Sequence, residues 1–237
     1  SKAFTHRSSD FSTNEVMTLS GAVNKTGLYL LLCVLSAAFN WNLLYSNPSL
    51  ANGLLWFGVF GGLVAAIVTI WKPTTANISA PIYAVLQGLA LGAVSGMYEY
   101  LYDGIVMQAL ALTFGTLAAL LLAYKSGLIK PTENFRLMLF AATGGVFILY
   151  LVSFIMSFFG GPIGFIHSNS LMGIGFSLVV VAIAALNLVL DFDFIEQASE
   201  SGAPKYLEAY GAFSLMVTLI WLYLEILRLL AKIYSRD

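Results

Sequence analysis

Seven times between Gly27 and the C-terminal residues, the chain runs for about twenty residues almost without a charged side chain. A helix rises about 1.5 Å per residue, so a run of about 20 crosses the ~30 Å hydrocarbon core of a bilayer. The runs fall at approximately 27–45, 53–71, 80–101, 105–124, 137–158, 171–190 and 206–230. They are continuous, whereas barrel strands alternate lipid-facing and lumen-facing residues, which excludes a barrel. The prediction is an all-α membrane protein, a seven-transmembrane-helix bundle. Composition agrees: 59% of residues are apolar and 10% charged, against roughly half and a quarter in a soluble domain. The runs also recur too widely for a signal peptide or a single anchor.

Short connectors carry turn residues, among them Asn47-Pro48, Asp103-Gly104 and Gly160-Gly161-Pro162, so successive helices are expected to lie antiparallel and adjacent. Residues 1–24 form a polar tail with no signal-peptide pattern, in which Ser12 and Glu15 have capping-box spacing for a short helix. Residues 25–237 are then one membrane domain. With the N-terminus cytoplasmic, the inner side collects Lys2, Arg7, Lys25, Lys72, Lys125, Lys130, Arg136 and Lys205, while the outer connectors before the last span hold no Lys or Arg. The last span breaks this bias by carrying Arg228, Lys232 and Arg236 outward. Either it dips and returns, or it crosses sheltered by the other six.

A net charge of −1 gives no field that would attract nucleic acid. The single cysteine, Cys33, excludes an intrachain disulfide and a thiolate cluster, and reads as a packing residue. Two histidines, His6 and His167, cannot form a histidine zinc site, and no Ser-His-acid arrangement or phosphate loop is present. No enzyme is expected, which leaves open only an intramembrane hydrolase working through carboxylates. No resident cofactor is expected either.

Gly88, Gly92 and Gly96 line one face of the third run. Small residues at this spacing let helices approach closely in lipid. Gly61-Gly62 and Gly173-x-Gly175 invite the same packing reading.

Charges at membrane depth are costly by several kcal/mol and are site hypotheses by default. Glu99 and Asp103 end the third run; Asp191 and Asp193 end the sixth, followed by Glu196 and Glu200; Glu225 and Arg228 lie within the seventh. Two residues apart on a helix, Asp191 and Asp193 point to different sides, while Asp193 and Glu196 share a face. Arg228, three residues beyond Glu225, is placed to pair with it. Both a structural ion pair and a proton-exchanging acid fit Glu225. Hard oxygens such as these suit Ca²⁺, although the EF-hand pattern is absent.

The segments Met17-Thr-Leu-Ser-Gly-Ala-Val-Asn-Lys-Thr26, Ala80-Pro-Ile-Tyr-Ala-Val-Leu-Gln-Gly88, Asp191-Phe-Asp-Phe-Ile-Glu196, Gly202-Ala-Pro-Lys-Tyr206 and Trp221-Leu-Tyr-Leu-Glu-Ile-Leu-Arg228 resemble a bacterial branch of the Bax-inhibitor family, the transmembrane Bax-inhibitor-motif proteins. The resemblance covers nearly the whole chain. It implies a last helix surrounded by the others, residence in a bacterial inner membrane, and a pH-sensitive calcium leak. In that family two aspartates, one closing the sixth span and one in the seventh, share a proton and gate the pore with a basic group. Asp191 matches the first. Aligning the stretch Leu222-Tyr-Leu-Glu225 selects Glu225 as the second, whereas aligning on Arg228 selects Thr218; Glu225 is favoured, because only a carboxylate can share the proton. Two carboxylates held close in a low dielectric cannot both stay ionised and titrate as a unit.

The expectation is therefore an Asp191–Glu225 pair that also contacts Ca²⁺, with Asp193, Glu196 and Arg228 on the ion path and Lys72, Glu99, Asp103 and Thr218 as gate partners. Beyond the lipid bilayer and Ca²⁺ or H⁺, no obligatory partner is implied, and a monomer is the working expectation. The competing reading is a non-transporting membrane regulator that binds a membrane protease or another membrane protein through the tail and the glycine stripe.

Overall fold

The computed structural model describes residues 16–159, 161, 164 and 168–236. The Ser12–Glu15 capping box, Lys2, Arg7, His6 and His167 lie outside them.

Among the described residues seven long helices follow one another: α1 (Leu19–Ser46), α2 (Pro48–Trp71), α3 (Ala76–Leu101), α4 (Ile105–Lys125), α5 (Glu133–Ser157), α6 (Leu171–Glu200) and α7 (Tyr206–Tyr234). Each is long and apolar enough to cross a membrane. Local chemistry sets their ends. Asn47 alone joins α1 to α2: its N–H donates to the Leu43 carbonyl at 2.7 Å, its side chain accepts from the Leu50 N–H at 3.2 Å, and Pro48 supplies the fixed φ of a first helical residue. Lys72-Pro73 stops α2, and a short 3₁₀ turn, Pro73–Thr75, leads into α3. Thr132 and Ser170 cap α5 and α6 in the same manner as Asn47. Gly104 turns the chain between α3 and α4 at φ +78°, a left-handed conformation that favours glycine.

The helices outrun the apolar segments that mark them. α1 begins at Leu19, behind the Thr18 cap, and α6 continues through the whole acidic stretch to Glu200. Asp191, Asp193 and Glu196 therefore have fixed helical directions.

The last helix is central. α7 packs against α1, α3, α4 and α6 and is the most buried of the seven. The glycine stripe of α3 is a packing surface: a methyl group placed on Gly88 would come within 2.3 Å of the Cys33 carbonyl oxygen, and one on Gly92 within 2.1 Å of the Ala37 carbonyl oxygen. α2 closes on the opposite side of α3, where Gly58 leaves room for the Leu86 carbonyl. Buried Asn40 ties the three helices together, donating to the carbonyls of Ala51 and Leu89 at 3.3 and 2.7 Å. Of Gly173-x-Gly175, Gly173 is buried but Gly175 does not share this role. Gly175 faces open space, and the Gly173 carbonyl accepts from Lys232 at 3.1 Å.

α5 lies at the edge, its backbone packed mainly against α6 among the described residues.

Candidate functional site

The acids Asp191, Asp193, Glu196 and Glu225 stand on α6 and α7 in three groups. Asp191 is buried in the seam between the two helices. Its Oδ1 accepts from the Ser214 hydroxyl at 2.5 Å, and its Oδ2 is buried with no hydrogen-bond partner. Thr218, one turn beyond Ser214 on α7, faces the same carboxyl while its hydroxyl donates to the Ser214 carbonyl at 3.2 Å.

Asp193 turns away from Asp191, as the spacing requires, and meets α5 and α4. Its Oδ2 pairs with Arg136 at 2.5 Å, and its Oδ1 accepts from Gln197 at 2.9 Å and from the Tyr124 hydroxyl at 3.5 Å. The same hydroxyl donates a short bond to Glu196. Asp193 and Glu196 thus share a face and one phenol.

Glu225, 2% exposed, forms the third group further along α7. Tyr150 of α5 donates to both carboxylate oxygens at 3.1 and 3.0 Å, Arg228 does so at 3.0 and 3.1 Å, and the Trp221 indole adds a bond of 3.3 Å. The guanidinium also lies over the Tyr150 ring, 5.2 Å from its centroid. Charge and hydrogen-bonding capacity are satisfied together here, as a buried pair requires.

Asp191 and Glu225 are therefore not brought together. Glu225 lies seven residues beyond Thr218 on the same helix, which is about 10 Å along the axis, and it has its own partners. The register between α6 and α7 decides this: it sets Ser214 and Thr218 against Asp191. The residue bonded to Asp191 is Ser214, which neither alignment of the second acid selects; Thr218, selected by the alignment on Arg228, faces the same carboxyl, and the favoured Glu225 does not. Asp191 and Glu225 consequently do not form a shared cation site, and among the described residues no group of three or more Asp, Glu, His or Cys side chains is arranged to hold a metal ion.

The remaining gate candidates stand apart from both acids. Lys72 is exposed at the end of α2, and Asp103 is exposed in the α3–α4 turn. Glu99 caps the start of α4, accepting from the Gly104 and Val106 N–H groups at 2.8 and 3.0 Å.

One acid escaped the reading of the sequence. Glu208, 3% exposed in the first turn of α7, accepts from the Thr18 N–H and hydroxyl, both at 3.0 Å, and pairs with Lys25 at 3.2 Å. Beside it the Met17 N–H donates to the Ala203 carbonyl at 2.7 Å, so residues 16–18 are fastened over the α6–α7 connector. The available signal was a carboxylate in a helix's first turn, directly after Gly202-Ala-Pro-Lys205.

Seven long apolar helices, six of them assembled about the central seventh and enclosing buried acids, define an integral membrane protein. The chain belongs to the Bax inhibitor 1 like family, whose model matches residues 1–235. This is a membrane family not known for enzymes. No curated protein matches the chain.

Proposed function

We propose that the protein is a pH-sensitive cation leak, with calcium the conducted ion, in which loss of the Asp191 proton opens a path along α7. The observation that carries this reading is the buried, unpartnered Oδ2 of Asp191 in the α6–α7 seam. A neutral carboxyl satisfied on one side by Ser214 is tolerable there. An ionised one is a charge in a low-dielectric seam with only the Ser214 and Thr218 hydroxyls beside it and no cationic partner among the described residues, a state costing several kcal/mol unless water or a cation reaches it. Relief requires α6 and α7 to part, and an incoming cation supplies the missing charge. With the N-terminus on the cytoplasmic side, the Asp193–Arg136–Tyr124–Glu196 cluster stands at the inner mouth of that seam, while the Glu225–Arg228–Tyr150 group is the constriction beyond Asp191 on the way out. This switch needs one acid and two hydroxyls in place of two acids.

Calcium flux through the purified protein in protein-only liposomes tests the reading. Across roughly pH 6 to 8 the flux is expected to rise. Asp191→Asn, which keeps the shape but cannot ionise, is expected to be low and flat, and a profile unchanged by that substitution overturns the switch. A chain that passes no cation at any pH is a regulator instead. Its partner surface would not be the glycine stripe, because α1 covers it.

A further inference from the structure

α1 and α4 both pack on α7, yet they have no extensive contact with each other. Between them lies a cleft of about 470 Å³ whose floor is α3 and α7, within the volume range of sites that enclose small apolar ligands. Its mouth is continuous with the lipid-facing surface: Val34 of α1 and Phe114 of α4 line it and are 56% and 45% exposed. Its floor reaches residues that no outer surface touches, Leu219 and Ile220 of α7, 4% and 6% exposed.

Most of the polar groups in its wall are already paired. Ser95 and Tyr223 bond to each other at 2.6 Å, the Asn42 amide donates to the Ala38 carbonyl at 2.9 Å, and the Thr113 hydroxyl donates to the Ala109 carbonyl at 2.7 Å. A buried water is held by two to four polar partners, and this wall offers few free ones. An occupant must then be apolar, enter sideways between two helices, and come from the medium at that depth.

We infer that the cleft between α1 and α4 is a binding site for one acyl chain of a membrane phospholipid, inserted laterally until it touches the central helix. The chain fills volume that water cannot stabilise, and it rests on α7 directly beyond Thr218, so membrane composition bears on the central helix from the side.

Photocrosslinking tests this in nanodiscs holding the full chain and a phosphatidylethanolamine with a diazirine midway along one acyl chain. Adducts are expected on the α7 residues Leu219 and Ile220 as well as on the exposed faces. Ala38→Trp, or Val34→Trp should the first fail to fold, narrows the cleft and is expected to reduce the α7 adducts about tenfold, leaving those on the exposed α5 residues Phe147 and Leu151 unchanged as the measure of intact folding. Adducts confined to exposed faces overturn the site. So do α7 adducts that persist in both folded tryptophan variants, or α7 labelling by a photoreactive free fatty acid but not by the phospholipid.

Discussion

Two flanks of the same bundle are held together by different physics. In the α1–α2–α3 half the absence of side chains makes the contact, since Gly58, Gly88 and Gly92 let backbones meet. α5 leaves much of its surface to lipid and is fastened by side chains seven residues apart: Arg136 to Asp193, Thr143 to Asn187 at 2.8 Å, and Tyr150 to Glu225 and Arg228. Its buried positions Leu139, Val146 and Ser153 follow the same interval, the period that keeps one helix seam on its neighbour. Backbone-to-backbone packing has one good arrangement, so the α1–α3 unit is the rigid frame. Polar rungs can exchange partners singly, so if the Asp191 seam parts as proposed, α5 is the helix able to follow α6.

The largest test of that contrast is Gly92→Leu. Its side chain would have to displace the α1 backbone, and overpacking of that kind costs about 3 kcal/mol. Denaturant unfolding in detergent micelles should show this loss, and a near-neutral variant would mean the frame is looser than described. Next in size is Arg228→Met on the other flank. Removing one partner of a buried pair costs up to ~3–5 kcal/mol; the guanidinium is about a third exposed, so about 2 kcal/mol is expected. Adding Glu225→Gln removes the stranded charge and should recover most of the loss, since Tyr150 and Trp221 still bond a neutral amide. A double variant no more stable than the single one would show that Glu225 does not depend on Arg228.

The spans were legible because hydrocarbon imposes a length and a polarity on every helix that crosses it, and the α3 stripe was legible because lipid leaves few other reasons for glycines at that spacing. Asp191 stood out as a carboxylate bordering a long apolar run. Its partner did not, because which residue of α7 faces it depends on the register between two antiparallel helices, and one serine in an apolar helix carries no signal of its own. The same holds for Tyr150 and Tyr124, aromatic residues that look like core until their hydroxyls find an acid. The seven-residue spacing of Arg136, Thr143 and Tyr150 is readable in the chain, but it acquires meaning only when Asp193, Asn187 and Glu225 stand opposite.

The smaller effects separate the flanks most cleanly. A double-mutant cycle with Thr143→Val and Asn187→Leu should give a coupling of about 0.6 kcal/mol, the usual size of a hydrogen bond between membrane helices, and a value near zero would remove that rung. Smallest of all is Gly144→Ala, beside the rung on α5. The added methyl meets nothing within 4 Å, and alanine restricts the unfolded chain more than glycine, so stability should be unchanged or rise by up to about 0.5 kcal/mol. The same glycine-to-alanine change at position 92 would press a methyl onto a backbone carbonyl. Opposite signs at the two sites are what distinguish a flank held by rungs from one held by contact, and a clear loss at Gly144 would mean α5 is seated as tightly as α1.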